Sequence, residues 1–140
     1  MSLTLFRIAV RNEPGALARV TRYLANWHVD LKGFVVDPAG MQLLTEDADA
    51  ARRAFDEAGI VTMMSPVLEF SLTDRPGALA QVCQRLADAN IDIVSAFGVA
   101  VGSTNRICIL ANDMARAAPI IEAFNRGAPV AASRPPWARA

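Results

Sequence analysis

Cysteine is nearly absent from this 140-residue chain, which has only Cys83 and Cys108, and His28 is its single histidine. That inventory excludes a disulfide framework and a tetrahedral metal site, and the separation of the two cysteines matches no metal-ligand spacing. Net charge is missing as well. Fourteen basic side chains balance fourteen acidic ones, whereas a nucleic-acid binder normally carries a basic excess. No stretch approaches the roughly 18 apolar residues of a membrane span. Met1-Ser2-Leu3-Thr4 also lacks the charged-then-apolar layout of a secretory signal. Lysine occurs once against thirteen arginines, a bias expected of a GC-rich bacterial genome and silent about function. Apolar residues, in contrast, make up 53% of the chain and charged ones 20%. Such a chain can bury a core, in one ordinary domain or two of about seventy residues each. The composition describes a reduced, cytoplasmic, globular protein and calls for no cofactor.

The chain repeats itself. A shift of 62 positions lays Pro14-Gly15-Ala16-Leu17-Ala18 on Pro76-Gly77-Ala78-Leu79-Ala80, and the match continues at Val20/Val82, Leu24/Leu86, Ala25/Ala87 and Asp30/Asp92. Those are nine identities in seventeen positions (14–30 on 76–92), where chance gives about one. Each copy is too long for a solenoid repeat and long enough for a small domain.

Both copies read alike. Leu3–Val10 and Val67–Leu72 alternate as strands do. Asn12-Glu13-Pro14-Gly15 and Asp74-Arg75-Pro76-Gly77 then open a helix, with Asn or Asp available to cap it and proline tolerated in its first turn. Leu17, Val20, Leu24 and Leu79, Val82, Leu86 form one apolar stripe per helix. Second strands are expected over 29–36 and 91–101. Asp37-Pro38-Ala39-Gly40 and Gly102-Ser103-Thr104-Asn105 then turn into third strands over 41–44 and 106–110. Second helices start near Thr45, with Ala48, Ala51, Phe55 and Ala58 inward, and near Asn112, with Met114, Ala117, Ile121 and Phe124 inward. Pro119 should kink that last helix or delay its start. Fourth strands close the units at 60–64 and 128–132, and the absence of charge in the first of these suggests a strand covered on both faces.

The expected fold class is α+β: two ferredoxin-like βαββαβ units side by side, each an antiparallel sheet with helices on one face. Their bounds are 1–65 and 66–133, with Ser65-Pro66 as nearly all the linker. A proline-containing tail follows over 134–140, and its Trp137 either docks on the body or stays a free end.

Function has to come from sites rather than from this widely shared plan. The strand-to-helix loop is the most informative. A glycine at the helix start lets a ligand approach the backbone, and first-turn N–H groups attract a carboxylate or phosphate. An aspartate between apolar residues, Asp30 or Asp92, recurs at the start of the second strand. Buried there it would need a partner such as an ammonium group. Loop donors and a carboxylate together suit a free amino acid. The residues also permit a purely structural reading: Asn12 and Asp74 as helix caps, Gly15 and Gly77 required by tight packing, and both aspartates at exposed strand ends.

The polar-x-Pro-Gly-small-Leu loop, followed by a helix and an Ile-Asp-Ile-like strand, resembles the ACT domain, the amino-acid-sensing module of biosynthetic enzymes. The resemblance spans roughly 3–64 and 67–132 and is stronger in the second half, in Asp74-Arg75-Pro76-Gly77-Ala78-Leu79 and Asn90-Ile91-Asp92-Ile93. It implies a regulatory, allosteric role. It also implies effector sites where two units pair, the loop of one facing the second strand of the other. The residues so implicated are Asn12, Gly15, Ala16 and Leu17 with Asp92, and Asp74, Gly77, Ala78 and Leu79 with Asp30. Side chains such as Phe34 or Phe97 could shape the pocket. Family members often carry asparagine where this chain has Asp30 and Asp92. Copy one also has Asn12-Glu13 where copy two has Asp74-Arg75, so the two sites need not bind the same ligand.

An enzyme would need a nucleophile, an acid–base pair or a metal arranged in space. His28 sits at a helix end, Cys83 and Cys108 read as small buried hydrophobes, Met63-Met64 as core or interface, and Arg52-Arg53 as a solvated helix face. The third strands carry no aromatic for base stacking, which argues against the RNA-binding domains that share this element order. The expectation is therefore a non-enzyme that binds a small-molecule amino acid, with no nucleic-acid or membrane partner, a homodimeric state, and another protein as its output. The alternative is a protein-interaction or oligomerisation module without a small-molecule ligand.

Overall fold

The apolar stripes form and turn inward in both halves: Ala16, Val20 and Leu24 are buried on one helix, Ala78, Val82 and Leu86 on another. The computed structural model describes residues 3–11 and 13–125. Backbone contacts divide the chain into a first unit over Met1–Val67 and a second beginning at Leu68.

The first unit runs β1 (Thr4–Ile8), α1 (Ala16–Asn26), β2 (Leu31–Asp37), β3 (Gly40–Thr45), α2 (Ala48–Glu57) and β4 (Thr62–Pro66). Its antiparallel sheet has the order β2-β3-β1-β4. Phe6 and Ile8 of β1 and Met41 and Leu43 of β3 share one face because they are register partners, Phe6 with Leu43 and Ile8 with Met41. That face packs with Val20 and Leu24 of α1 and with Ala51, Ala54 and Phe55 of α2. The Phe6 and Phe55 rings meet at 5.5 Å, tilted by 51°, an aromatic contact worth about 0.5–1.5 kcal/mol beyond its buried area.

The second unit repeats the order as β5 (Leu68–Thr73), α3 (Ala78–Asp88), β6 (Ile93–Val101), β7 (Thr104–Ala111) and α4 (Met114–Asn125). Among the described residues its sheet has three strands, β5-β7-β6. Phe70, Ile107 and Ile109 pack there with Val82, Leu86, Ala117 and Ile121. The fold class is therefore α+β with antiparallel sheets, as expected. The fourth strand expected at 128–132 and the tail with Trp137 lie outside the described residues.

Three expectations need correction. The second helices start later than Thr45 and Asn112 because Asp47 and Asp113 cap them: the Asp47 carboxylate accepts from the Ala50 N–H and the Asp113 carboxylate from the Arg116 N–H. Pro119 does not delay α4, which starts at Met114 and runs through it. Pro119 and Ala115 are both exposed, so water can satisfy the carbonyl that proline leaves without a donor. β4 is not covered on both faces, since Met63 and Met64 are exposed. It also absorbs Ser65 and Pro66, leaving Val67 alone between β4 and β5.

Helix ends are set by a recurrent device. At α1 the Val29 N–H donates to Leu24 O and the His28 N–H to Ala25 O. At α3 Ile91 donates to Leu86 and Asn90 to Ala87; at α2 Ile60 donates to Phe55 and Gly59 to Asp56. His28, Asn90 and Gly59 all have positive φ, at 56°, 58° and 72°. This is the left-handed terminus that satisfies last-turn carbonyls, with an apolar residue immediately after it. His28 thus has a structural position, the counterpart of Asn90 one repeat later.

Candidate functional site

The Pro-Gly pairs of both strand-to-helix loops build the same turn. The Ala16 N–H donates to Glu13 O at 3.0 Å, and the Ala78 N–H to Arg75 O at 3.3 Å. Gly15 lies at φ 87°, ψ −8° and Gly77 at φ 87°, ψ −12°. Proline second and a left-handed residue third define a type II β-turn, which explains the Pro-Gly order physically. Each glycine then serves as the N-cap of its helix, and neither helix has a side-chain cap. The proline therefore stands before the helix rather than in its first turn.

Asp74, expected as a cap, instead donates its backbone N–H to Ser103 O. Asn12 lies outside the described residues. The packing explanation for Gly15 also fails, because a Cβ there would meet nothing within 4 Å. The glycine is needed for its dihedral angle, and the space above it is open. Ala16 and Ala78 are buried at the first turn, Leu17 is half-buried, and Leu79 is exposed. Helix starts without side-chain caps leave early backbone N–H groups without an intrahelical partner.

Asp30 and Asp92 sit just before β2 and β6 and are exposed. They are thus exposed strand ends, and no burial cost attaches to them. Their backbones are anchored nonetheless. The buried Thr45 hydroxyl donates to Asp30 O and accepts the Asp47 N–H. The Asp92 N–H donates to Asn112 Oδ1 while the Asn112 N–H donates to Asp92 O. A register shift follows each aspartate, between Leu31 and Gly33 and between Ile93 and Ser95. The extra residue is Lys32 in one unit and Val94 in the other. Lys32 pairs with the Asp30 carboxylate at 3.0 Å, whereas Asp92 forms no ion pair among the described residues. Thr45, Asn112 and Lys32 were missed in the sequence. Of these only the Asp-x-Lys spacing was a visible signal.

Within one unit the loop and the aspartate do not meet. Thr4, Thr45 and Leu31 align at one end of the sheet, and Ile8 and Met41 at the other. The loop leaves the Ile8 end and Asp30 enters at the Thr4 end, a strand length of roughly 13 Å apart. Register places Leu72 and Thr73 of β5 opposite Asn105 and Thr104, away from Ala111 and Ile93, so the second unit separates its loop from Asp92 in the same way. Phe34 is exposed and Phe97 half-buried on their second strands.

The remaining reactive groups are poorly placed for chemistry. Burial pushes the Cys83 thiol up, a backbone hydrogen bond working against it. Burial, then the Glu69 carboxylate, push Cys108 up, with Arg106 opposing. Both thiols stay protonated near neutrality and are weak nucleophiles. No group of His, Cys, Asp and Glu among the described residues could hold a metal ion. Open depressions occur among the described residues of the first unit. One, about 510 Å³, is lined by Arg52, Asp56, Gly59 and the start of β4; another, about 390 Å³, by Arg7, Asp37, Gln42 and Met63 among others. Neither involves the expected site residues.

Comparison with known proteins agrees with this architecture. Residues 66–125 match the ACT domain model, so an ACT domain is present in the second half of the chain. No curated protein matches. Among solved structures, protein BT0572 from Bacteroides thetaiotaomicron is similar with a TM-score of 0.75 at 22% identity, over 88% of this chain and 88% of its own. The ligand-free regulatory subunit of aspartate kinase from Thermus thermophilus gives 0.66 at 16% identity, over 91% and 89% of the two chains. Aspartokinase III of E. coli in complex with lysine and aspartate (T-state) gives 0.58 at 11% identity, over 90% of this chain and 31% of that one. At such identities the likeness is one of fold. No helix among the described residues is long and apolar enough to cross a membrane.

Proposed function

We propose that the chain is a tandem of two ACT units, residues 1–65 and 66–133, that binds an amino acid reversibly and regulates another protein without catalysing a reaction. The observation that carries this reading is the ACT match over 66–125, joined to a second loop of the same turn geometry at Gly15. In this reading the ligand carboxylate meets the N–H groups at the start of α1 or α3. Its ammonium group meets the aspartate before the second strand of the other unit, so Gly15, Ala16 and Leu17 work with Asp92, and Gly77, Ala78 and Leu79 with Asp30. The free Asp92 carboxylate favours the first of these sites, because Lys32 already occupies Asp30.

Regulation follows from linkage. A ligand held by both units stabilises whichever paired arrangement or oligomer grips it, by its differential affinity. The protein acts in the cytoplasm, as a homodimer, on a protein target. Lysine and aspartate, both held by the aspartokinase III structure, are the first ligands to try. A thermal-shift screen of the twenty amino acids tests the reading: at least one should give a saturable rise in melting temperature, and a flat panel on folded protein would refute it.

A further inference from the structure

Each strand of the first sheet brings a different side chain to one patch. Arg7 partners Gln42 on one side and Met63 on the other, so the three share a face, opposite the Phe6 and Ile8 side chains that meet the helices. Asp37 lies two residues beyond Val35, the partner of Gln42, and therefore projects from that same face. Across neighbouring strands the order is Asp37, Gln42, Arg7, Met63: a carboxylate, an amide, a guanidinium and a thioether. All four line the open depression of about 390 Å³, together with Val61, a volume within the roughly 300–1,000 Å³ of small-molecule sites. The depression continues over the ends of β1 and β3, where the buried Ile8 and Met41 also border it.

Arg7 and Asp37 form no ion pair with each other, and neither has another ion-pair partner among the described residues. Their charges balance, so the depression suits neither a simple anion nor a simple cation. It suits a molecule that carries one charge of each sign. Asp37 is also held in place. Its Oδ1 accepts the Ala39 N–H at 2.8 Å, which leaves Oδ2 for a ligand. Gly40, at φ 136°, brings the β2–β3 turn so close to β1 that a Cβ would stand 2.6 Å from Ile8 O, an approach that glycine alone permits. Val61 and Met63 are 85% and 65% exposed, apolar surface beside the charged pair that an aliphatic side chain would cover.

We infer that this depression binds a free aliphatic α-amino acid, its carboxylate on Arg7, its ammonium group on Asp37 and its side chain against Val61 and Met63. The site lies within the first unit and is separate from the one proposed at Gly15 and Asp92. Leucine is the probe, titrated into the ¹⁵N-labelled full chain, with N-acetyl-leucine and leucinamide as analogues that each lack one charge. Leucine should shift the amides of Arg7, Ala39, Gly40, Thr62 and Met63, and each analogue should bind at least about tenfold more weakly. Asp37→Asn keeps the Oδ1 acceptor of the turn, and Arg7→Gln alters an exposed side chain. Both variants should therefore stay folded and bind leucine at least about tenfold more weakly, whereas Asp92→Asn should leave this isotherm unchanged. Absent binding, leucine bound equally well by either Arg7→Gln or Asp37→Asn, or one affinity for all three ligands would overturn the inference. Shifts confined to Gly15–Leu17 and Asp92 would overturn it too, while supporting the site proposed there.

Discussion

Substitution of Gly15 separates conformational demand from crowding. Its φ of 87° lies where L-residues other than Gly, Asn and Asp are strained, yet its Cβ would meet nothing within 4 Å. The cost of any side chain there should therefore follow backbone preference and not volume. Placing alanine in a left-handed conformation costs roughly 1–2 kcal/mol, and the more restricted unfolded chain returns about 0.4–1 kcal/mol. Gly15→Ala should lose about 1 kcal/mol net, which lowers Tm by roughly 4–8 °C if the first unit melts alone, as a 60–100-residue domain would. Gly15→Asn, although larger, should lose only a few tenths of a kcal/mol because asparagine tolerates this region. Urea denaturation with an unchanged m-value measures both. An asparagine variant less stable than the alanine variant would show that the space over the loop is filled. Because the asparagine side chain projects into that open space, the same variant should stay folded and lose amino-acid binding.

Other consequences are local. His28→Gly should stabilise the chain by about 0.5–1 kcal/mol and Asn90→Gly by less, read as urea midpoints, since glycine relieves the positive φ that histidine bears worse than asparagine. Thr45→Val removes the buried hydroxyl that joins Asp30 O to the Asp47 N–H, and should cost about 1–3 kcal/mol in the same assay. The raised thiols predict a pH dependence. The unfolded chain ionises its cysteines near pH 9.0 while the folded chain resists, so stability is complete below that pH and declines above it. Cys108→Ala should flatten part of this decline in denaturation curves taken between neutral and alkaline pH.

Much of the architecture was legible because the repeat doubles every signal. Val20 and Leu24, with Val82 and Leu86, mark the same helix twice, and Pro-Gly before each helix fixes the loop. What the sequence hid was decided by tertiary relations. Thr45 reads as a helix start, but its hydroxyl is drawn into the core, and Asp47 becomes the cap. The uncharged stretch at 60–64 reads as a covered strand, yet pairing with β1 alone leaves Met63 and Met64 exposed. Pro119 breaks helices in general and is accommodated here on an exposed surface. In the candidate site Pro14-Gly15 and Pro76-Gly77 mark the helix entries, but the residue pattern puts the proline inside the first turn, whereas it is the second residue of a type II turn that precedes the helix. Lys32 as an internal partner of Asp30 required the register shift that no local pattern reveals.

The most direct examination of the sensor reading is a titration of the ¹⁵N-labelled full chain with the amino acid that gives the largest thermal shift. The account predicts that the amides of Gly15, Ala16 and Leu17 and that of Asp92 move along one binding isotherm, and that Asp92→Asn weakens it more than Asp30→Asn. Shifts confined to a single unit, or equal effects of the two asparagine variants, would contradict it.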